Sequence, residues 1–270
     1  MLQNLHTHSV FCDGQDTLFD IARSSYEMGL DSLGFSSHSI TTELDGQFPL
    51  DVPKYISEVN SLKKEYEGRM KIYLGCEMDE ISYGKVNPRD FEYTIGAVHE
   101  GTKHGKTVFF DYSIDLAKKH MDELFGGSFI EFARLYYEIL SKSRAVAESD
   151  VVAHFDLVSK YSERMPTVFN ADTPEYREAA LDTLHTVRKR NELFEINTGP
   201  LARGYKAHPY PAPFILKEMK ALDCKLIITS DCHNKENLIY GFDIAKEIIK
   251  SHGFDSVYYL TDSGFVGEKI

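Results

Sequence analysis

The sequence lacks the features that mark membrane, secreted and nucleic-acid-binding proteins. No apolar run approaches the roughly 18 residues that a membrane-spanning helix needs. The first residues contain neither the basic segment nor the apolar core of a secretory signal peptide. No block of lysine and arginine stands out, and the formal net charge is −12, so the electrostatic footprint of a nucleic-acid-binding protein is missing. These absences predict a soluble cytoplasmic protein with neither a membrane nor a nucleic acid as its partner.

Cysteine is scarce as well. The chain has four, Cys12, Cys76, Cys224 and Cys232, and no two of them form a C-x-x-C pair. In a protein that is not secreted, we expect reduced thiols, most of them buried. A chain of 270 residues can bury a large core without disulfide bonds.

Short β-like runs alternate with helical segments along the chain. The predicted strands cover residues 2–8, 32–36, 70–76, 93–99, 151–155, 193–198 and 225–230, and the predicted helices cover residues 16–28, 53–66, 128–148, 174–190, 213–222 and 237–251. This alternation is typical of parallel strands with helices outside them, and seven strands favour an α/β barrel over an open sheet. With no linker-like break and no repeat, residues 1–270 are predicted to form a single domain. We interpret the mixed segment 100–127 as a loop or lid at the barrel mouth.

Nearly every predicted strand ends in a side chain that can bind a metal ion. The period of two along a strand places His6 and His8 on one face. The C-terminal ends of parallel barrel strands meet at one mouth, so the strand-end residues are expected to converge there. These residues are His6, His8, Asp13, His38, Glu77, His99, His154, Asp231 and His233.

Nine nitrogen and oxygen ligands are too many for one tetrahedral ion. They predict two or three divalent cations, with a carboxylate such as Glu77 bridging two of them. Because no thiolate is required, the predicted site has an imidazole and carboxylate character that suits zinc, manganese or iron.

Taken alone, each of these residues has an ordinary structural explanation. A single H-x-H pair is a weak signal, His154 could be a buried core histidine, and Asp231 could cap the helix that follows it. The placement of the whole set favours a site, because six of the eleven histidines fall at or just after predicted strand ends. Cys76 and Cys232 alternate to the opposite face from the ligands, so we expect them to pack in the core. The histidines without this placement are His104, His120, His185, His208 and His252.

Seven motifs follow one another along the chain: HTHSVFCDG, GFSSHS, GCEMD, GAVHE, AHFDLVSKY, EINTGPLARG and TSDCH. In this order they resemble the polymerase-and-histidinol-phosphatase (PHP) superfamily, and within it the histidinol-phosphate phosphatases of histidine biosynthesis. The resemblance spans residues 3 to about 240. It implies a distorted (β/α)7 barrel that holds a trinuclear metal centre.

The resemblance also implies how the nine ligands are shared among the ions. His6, His8, Glu77 and Asp231 would hold one ion, Glu77, His99 and His154 a second, and Asp13, His38 and His233 the third. One departure follows His99, where the family often continues with an apolar residue and this chain has Glu100 and then the polar stretch GTKHGK. That stretch is expected to border the substrate.

The resemblance and the ligand set together predict hydrolysis of L-histidinol phosphate to L-histidinol and phosphate. Metal coordination lowers the pKa of a bound water to about 7, so a hydroxide bridging the two ions that share Glu77 is the expected nucleophile. The ions would also attract a small phosphorylated substrate that an acidic protein would otherwise repel. Asp231 or His233 could transfer protons to or from the reacting oxygens.

Arg203 is the best candidate for binding the phosphate, because a guanidinium group matches phosphate bidentately. A surface salt bridge is the alternative explanation for this residue. Lys160 and Tyr161 are weaker candidates, suggested by their closeness to His154 in the sequence. Asn197 ends the sixth predicted strand and could orient the substrate.

Three other functions are compatible with parts of this pattern. PHP modules of polymerases attack phosphodiester ends, but the acidic balance and the missing basic groove argue against a nuclease. A non-enzymatic metal-binding scaffold is expected to have lost ligands, and this chain has all nine. A metal-dependent amidohydrolase shares the H-x-H pair, but it usually adds a carboxylated lysine at a strand end, where this chain offers none.

Overall fold

Strands and helices alternate along the chain, as the sequence predicts. The structure is a computed structural model that describes residues 1–44 and 46–270. Its strands are β1 (Gln3–Asn4), β2 (Ser32–Phe35), β3 (Ile40–Glu43), β4 (Gly46–Pro49), β5 (Lys71–Asp79), β6 (Tyr93–Ala97), β7 (Glu100–Lys103), β8 (Lys106–Phe109), β9 (Val151–Val152), β10 (Leu193–Asn197), β11 (Lys225–Thr229), β12 (Ser256–Thr261) and β13 (Gly264–Lys269). Its helices are α1 (Leu18–Glu27), α2 (Val52–Glu65), α3 (Ile114–Leu124), α4 (Phe129–Lys142), α5 (Arg144–Glu148), α6 (Pro174–Arg188), α7 (Gly199–Ala202), α8 (Pro213–Ala221) and α9 (Phe242–Ser251).

Seven strands form one parallel sheet that curves into a nearly closed barrel. The strand order is β1-β2-β5-β6-β9-β10-β11. The two edge strands approach each other beyond their regular pairs, where Thr7 and Cys232 form a parallel bridge. There the His8 N–H donates to the Cys232 carbonyl at 2.9 Å. Most connections between neighbouring barrel strands contain a helix, which confirms the predicted distorted (β/α)7 architecture.

The first strand is shorter than predicted because side chains replace the regular ladder after Asn4. The Thr7 N–H donates to the Ser36 hydroxyl at 3.0 Å, and the Thr7 hydroxyl donates to the Gly34 carbonyl at 2.8 Å. These bonds hold the extended chain against β2 without a continuous strand pairing. The residues that carry His6 and His8 are therefore fixed at the end of the barrel wall.

Helix starts follow the capping signals of the sequence. The Asp51 side chain accepts from the Lys54 N–H at 3.2 Å ahead of α2, and the Thr173 hydroxyl accepts from the Tyr176 N–H at 3.2 Å ahead of α6. The predicted helix 128–148 is divided into α4 and α5 at Ser143, whose hydroxyl caps α5. Among the described residues, no helix is both long enough and apolar enough to cross a membrane.

The segment 100–127, predicted to be a loop or lid at the barrel mouth, is not an irregular loop. The segment contains the antiparallel hairpin of β7 and β8, followed by α3. His104 and Gly105 at its turn have φ angles of 51° and 74°, the left-handed conformation that a tight hairpin turn requires. Val108 and Phe110 are fully buried in the apolar cluster that also contains α3 and α4 side chains. Polar residues on the outer face of this hairpin hid its alternating pattern.

A second hairpin, of β12 and β13, covers the N-terminal ends of the barrel strands, and the sequence analysis did not predict it. The Gln3 side chain accepts from the Leu260 N–H at 2.8 Å and donates to the Leu260 carbonyl at 2.9 Å. Leu260 packs in one apolar cluster with the barrel residues Leu5, Ile95 and Leu193. This end of the barrel is therefore filled with apolar side chains.

Tyr93 fills much of the barrel interior. A Cβ atom on Gly75 would lie 2.2 Å from the Tyr93 Cζ, and one on Gly34 would lie 2.2 Å from its hydroxyl oxygen. The hydroxyl donates to the Leu5 carbonyl. Two glycines thus make room for one large aromatic ring, and the predicted metal ligands gather beyond it, at the C-terminal ends of the strands.

Candidate metal centre

All nine predicted ligands come together at the C-terminal end of the barrel. Most are deeply buried, and the side chains nearest the opening, those of Asp13, His99 and His233, are only partly exposed. His6 and His8 follow β1, His38 follows β2, His99 follows β6, and His154 follows β9. Glu77 lies within β5, whose paired region continues two residues further to Asp79. The convergence predicted from strand ends is thus present in the structure.

Glu77 occupies the middle of the cluster. Its side chain is fully buried, and both of its carboxylate oxygens face imidazole nitrogens. The nitrogens within 2.9–3.5 Å of these oxygens belong to His6, His8, His38, His99 and His154. The carboxylate therefore has the position expected of a ligand shared between two ions.

The remaining carboxylates lie on the two sides of this centre. Asp231 Oδ1 lies 3.1 Å from His8 Nε2 and 3.7 Å from His6 Nε2. Asp13 Oδ2 lies 3.1 Å from His233 Nε2. Three groups have ligand atoms within 4.8 Å of one another: His6, His8 and Glu77; His38, Glu77 and His99; and His8, Asp13, His38 and His233. Each of these groups shares residues with one of the three ligand sets that the resemblance implies. His8 also joins the group of Asp13, His38 and His233, and His38 also joins the group of Glu77 and His99.

Buried polar atoms in the centre fit a divalent cation. His6 Nε2, His8 Nε2 and Glu77 Oε2 are shielded from solvent and make no hydrogen bond of suitable geometry to any described residue. Leaving such atoms unpaired is unfavourable, and an ion among them would satisfy all three at once. Imidazole nitrogens and carboxylate oxygens form a ligand set suited to zinc, manganese or iron.

Electrostatic contacts within the cluster hold Glu77 ionised and His8 neutral. Although burial opposes ionisation, the imidazoles of His38, His6 and His99 hold the pKa of Glu77 well below its usual range. Burial, together with His233 and His38, lowers the pKa of His8 to about 3. Glu77 is therefore an anion and His8 a neutral imidazole, the forms in which these side chains bind metal ions.

Glu195 is a functional residue that the sequence analysis missed. This fully buried carboxylate of β10 accepts from His6 Nδ1 at 2.8 Å and from the Thr229 hydroxyl at 2.9 Å through Oε2. Its Oε1 accepts from the Asn197 amide at 2.8 Å and from the His154 N–H. A proton on His6 Nδ1 leaves the Nε2 lone pair directed at Glu77, as metal binding requires. The sequence feature that could have identified Glu195 is a glutamate inside the apolar run LFEIN.

Asp79 was missed in the same way. Its Oδ2 lies 2.6 Å from His99 Nδ1 and accepts from the His99 N–H at 3.2 Å. This contact orients the His99 ring so that Nε2 faces Glu77. Asp79 follows Glu77 by two residues, and the period of two along a strand already placed both on one face.

Arg203 and Lys160 line the opening of the centre, and their contact with substrate remains a prediction. Arg203 donates to the Asp231 carbonyl at 2.9 Å and to Asp231 Oδ2 at 3.0 Å. The ion pair of Arg203 with Asp231 therefore lies at the cavity, and not on the outer surface of the barrel as the alternative explanation of a surface salt bridge requires. Lys160 Nζ lies 3.0 Å from Asp111 Oδ2.

Tyr161 and Asn197 lie behind the cavity wall, and their predicted contact with substrate remains a prediction. The Tyr161 hydroxyl donates to the Asp111 carbonyl at 2.6 Å from within the apolar core. The Asn197 amide lies 3.3 Å from Asp231 Oδ2, so this side chain orients a metal-ligand candidate. Cys76 and Cys232 pack in the core as expected, and all four cysteines are free thiols.

The centre opens into a cavity of about 460 Å³, a size that suits a small molecule. Glu100 lines this cavity, whereas residues 101–106, the polar stretch expected to border the substrate, are not among its lining residues. Its lining beyond the ligand candidates includes Ile40, Thr41, Thr42, Asp79, Ile81, Glu100, Phe109, Asp111, Tyr112, Leu157, Lys160 and Arg203. A polar, partly aromatic wall therefore surrounds the ligand cluster.

The fold and the cluster of strand-end ligands define a metal-dependent barrel of PHP type. The family model of the PHP domain matches residues 4–199, and the chain belongs to this family. The histidinol-phosphatase of Bacillus subtilis is 24% identical over 261 residues, covering 88% of this chain and 96% of that protein. A probable histidinol-phosphatase of Deinococcus radiodurans is 27% identical over 255 residues, covering 90% of this chain and 91% of that protein.

A solved structure has the same fold. The histidinol phosphate phosphatase of Lactococcus lactis subsp. lactis Il1403, crystallised in complex with zinc, L-histidinol and phosphate, superposes with a TM-score of 0.75. The match covers 98% of both chains at 20% sequence identity. Nearly the whole of this chain therefore follows the architecture of that enzyme.

The contact between Glu195 and His6 makes a testable prediction. In Glu195→Gln the shape is kept, but the anion that fixes the His6 tautomer is lost, so metal affinity should fall roughly ten- to a hundredfold. Chelator competition on the metal-stripped protein measures this affinity, and circular dichroism reports the fold. Glu192→Gln, which removes an exposed carboxylate paired with Lys225, is the matched control. Unchanged affinity in a folded Glu195→Gln variant would show that the contact with His6 does not support metal binding.

Proposed function

We propose that this protein is a metal-dependent phosphomonoesterase that hydrolyses L-histidinol phosphate to L-histidinol and phosphate in histidine biosynthesis. The observation that carries this proposal is the convergence of eight metal-competent side chains around a ninth, Glu77, at a cavity that Arg203 also lines. Histidinol-phosphatases of similar length support the choice of substrate. Residues 1–270 would act together as one catalytic domain.

The site would hold two or three divalent ions, of zinc, manganese or iron. His6, His8, Glu77 and Asp231 are proposed for the first ion, Glu77, His99 and His154 for the second, and Asp13, His38 and His233 for the third. Such ions make water nucleophilic at neutral pH and offset the charge of the phosphoryl group. The zinc in the Lactococcus lactis structure supports a metal requirement, and the orphaned imidazole nitrogens of this chain support it independently.

Arg203 would bind the phosphoryl oxygens. Its guanidinium group lies at the cavity beside Asp231, and the side chain is 28% exposed. A planar group with donors on adjacent edges suits an anion with several oxygens. Lys160 adds positive charge to the same wall while Asp111 holds it in place.

Asp231 and His233 are the two proposed proton carriers for the reacting oxygens. Although burial opposes ionisation, Arg203 and His6 hold the pKa of Asp231 well below its usual range. Asp231 is therefore ionised and could only accept a proton, but its low pKa makes it a weak base. His233 lies within 3.8 Å of Asp231 Oδ1 through its Nδ1 and is the alternative proton carrier.

The proposed substrate is tested by measuring phosphate release from L-histidinol phosphate, other phosphomonoesters and a dinucleotide. We expect the highest kcat/KM for L-histidinol phosphate and loss of activity on metal removal, with recovery when zinc, manganese or iron is returned. A preference for the dinucleotide would identify the protein as a phosphodiesterase. Equal rates on all monoesters would contradict the assigned substrate while leaving the metal chemistry in place.

Arg203→Lys separates phosphate binding from metal binding. The substitution keeps the positive charge but loses the bidentate geometry, so kcat/KM should fall roughly ten- to a hundredfold for every phosphomonoester. Metal content should not change, because arginine ligates nothing. Arg164→Lys is a control in which an exposed guanidinium bonded to the Gly204 carbonyl is replaced. A selective loss for L-histidinol phosphate would instead place Arg203 against the leaving group.

A further inference from the structure

Glu100 presents a buried carboxylate to the cavity. It begins β7 directly after the ligand candidate His99, it lines the cavity wall, and only 6% of its surface is exposed. Its Oε2 is shielded from solvent, and the Thr42 hydroxyl lies beside the carboxyl group. A cationic group that arrives with the ligand would be a favourable partner for this buried carboxylate.

The other carboxylates of the cavity wall are already engaged. Asp79 holds His99, with Oδ2 2.6 Å from Nδ1. Asp111 Oδ2 lies 3.0 Å from the Lys160 ammonium. The two that belong to the ligand cluster face imidazoles or a guanidinium. Glu100 therefore differs from its neighbours, because no cationic side chain of the described residues forms an ion pair with it.

Aromatic rings stand beside this carboxylate. Glu100 pairs directly with Phe109 across the hairpin of β7 and β8, so both side chains project from the same face. The rings of Phe109 and Tyr112 have centroids 5.5 Å apart, and both line the cavity. An anion flanked by aromatic faces is suited to an organic cation, which can donate to the carboxylate and pack against the rings.

We propose that Glu100, with Phe109 and Tyr112, forms a subsite for the cationic group of the leaving alcohol. This inference rests on the proposed function, because L-histidinol phosphate carries both an ammonium group and an imidazole. With the phosphoryl group at the ligand cluster and Arg203, the substrate's cationic end would reach toward Glu100. The subsite would give the enzyme a preference for cationic over uncharged phosphomonoesters.

Glu100→Gln tests this subsite because it removes the charge and keeps the shape. The measurement is kcat/KM for L-histidinol phosphate, for ethanolamine phosphate, which has only the ammonium group, and for p-nitrophenyl phosphate, whose leaving group carries no cation. We expect a fall of roughly ten- to a hundredfold for L-histidinol phosphate and little change for p-nitrophenyl phosphate. A parallel fall for ethanolamine phosphate would assign the contact to the ammonium group, and its absence would assign it to the imidazolium.

The control is Glu123→Gln, which makes the same charge change at an exposed position of α3 and should leave all three values unchanged. Equal losses on every substrate in Glu100→Gln would show that Glu100 supports the ligand cluster and not the leaving group. Unchanged values would also overturn the proposal. If the wild type does not hydrolyse L-histidinol phosphate, the proposed substrate is wrong. The ratio of kcat/KM for ethanolamine phosphate to kcat/KM for p-nitrophenyl phosphate, compared between the wild type and Glu100→Gln, then tests the cation subsite by itself.

Discussion

The carboxylate of Glu77 is removed from solvent in the middle of five imidazoles, and the arrangement of the active end of the barrel depends on this contact. A buried carboxylate is strongly unfavourable unless donors or cations surround it. The imidazole nitrogens that face Glu77 come from four different strand ends. Holding them there requires that β1, β2, β6 and β9 keep their register around β5. Bound divalent ions would add the positive charge that stabilises the buried Glu77 carboxylate beyond what the imidazoles provide.

The rest of the barrel fills the opposite end and orients the histidine rings of this cluster. Tyr93 and the hairpin of β12 and β13 fill the opposite end largely with apolar contacts, and the ligand candidates lie at the other mouth. Glu195 and Asp79 then fix the rings of His6 and His99 by accepting from their Nδ1 atoms. Each ring therefore turns its Nε2 atom toward the shared carboxylate. Rigid placement of ligands by a second layer of hydrogen bonds is how metal sites keep their geometry.

The sequence predicted the barrel and the ligand cluster because both follow from strand ends. A strand ends where its apolar run ends, and His38, Glu77, His99 and His154 each stand at or near such a point. Glu195 was harder to predict because it lies inside an apolar strand, where its partners come from segments distant along the chain. The hairpin at residues 100–109 was missed because its turn uses His104 and Gly105 and its outer face is polar. Tertiary packing against α3 and α4 determines that segment, and local pattern does not reveal such packing.

The central claim is that Glu77 holds two cations together by balancing their charge. Elemental analysis of the wild type and of Glu77→Gln, each purified with metal and without chelator, tests it most directly. The account predicts two to three divalent ions per chain in the wild type. It predicts clear loss of metal in a folded Glu77→Gln variant, with activity lower by orders of magnitude. A variant with full metal content and near-normal turnover would show that Glu77 does not bridge the ions, and would contradict the account.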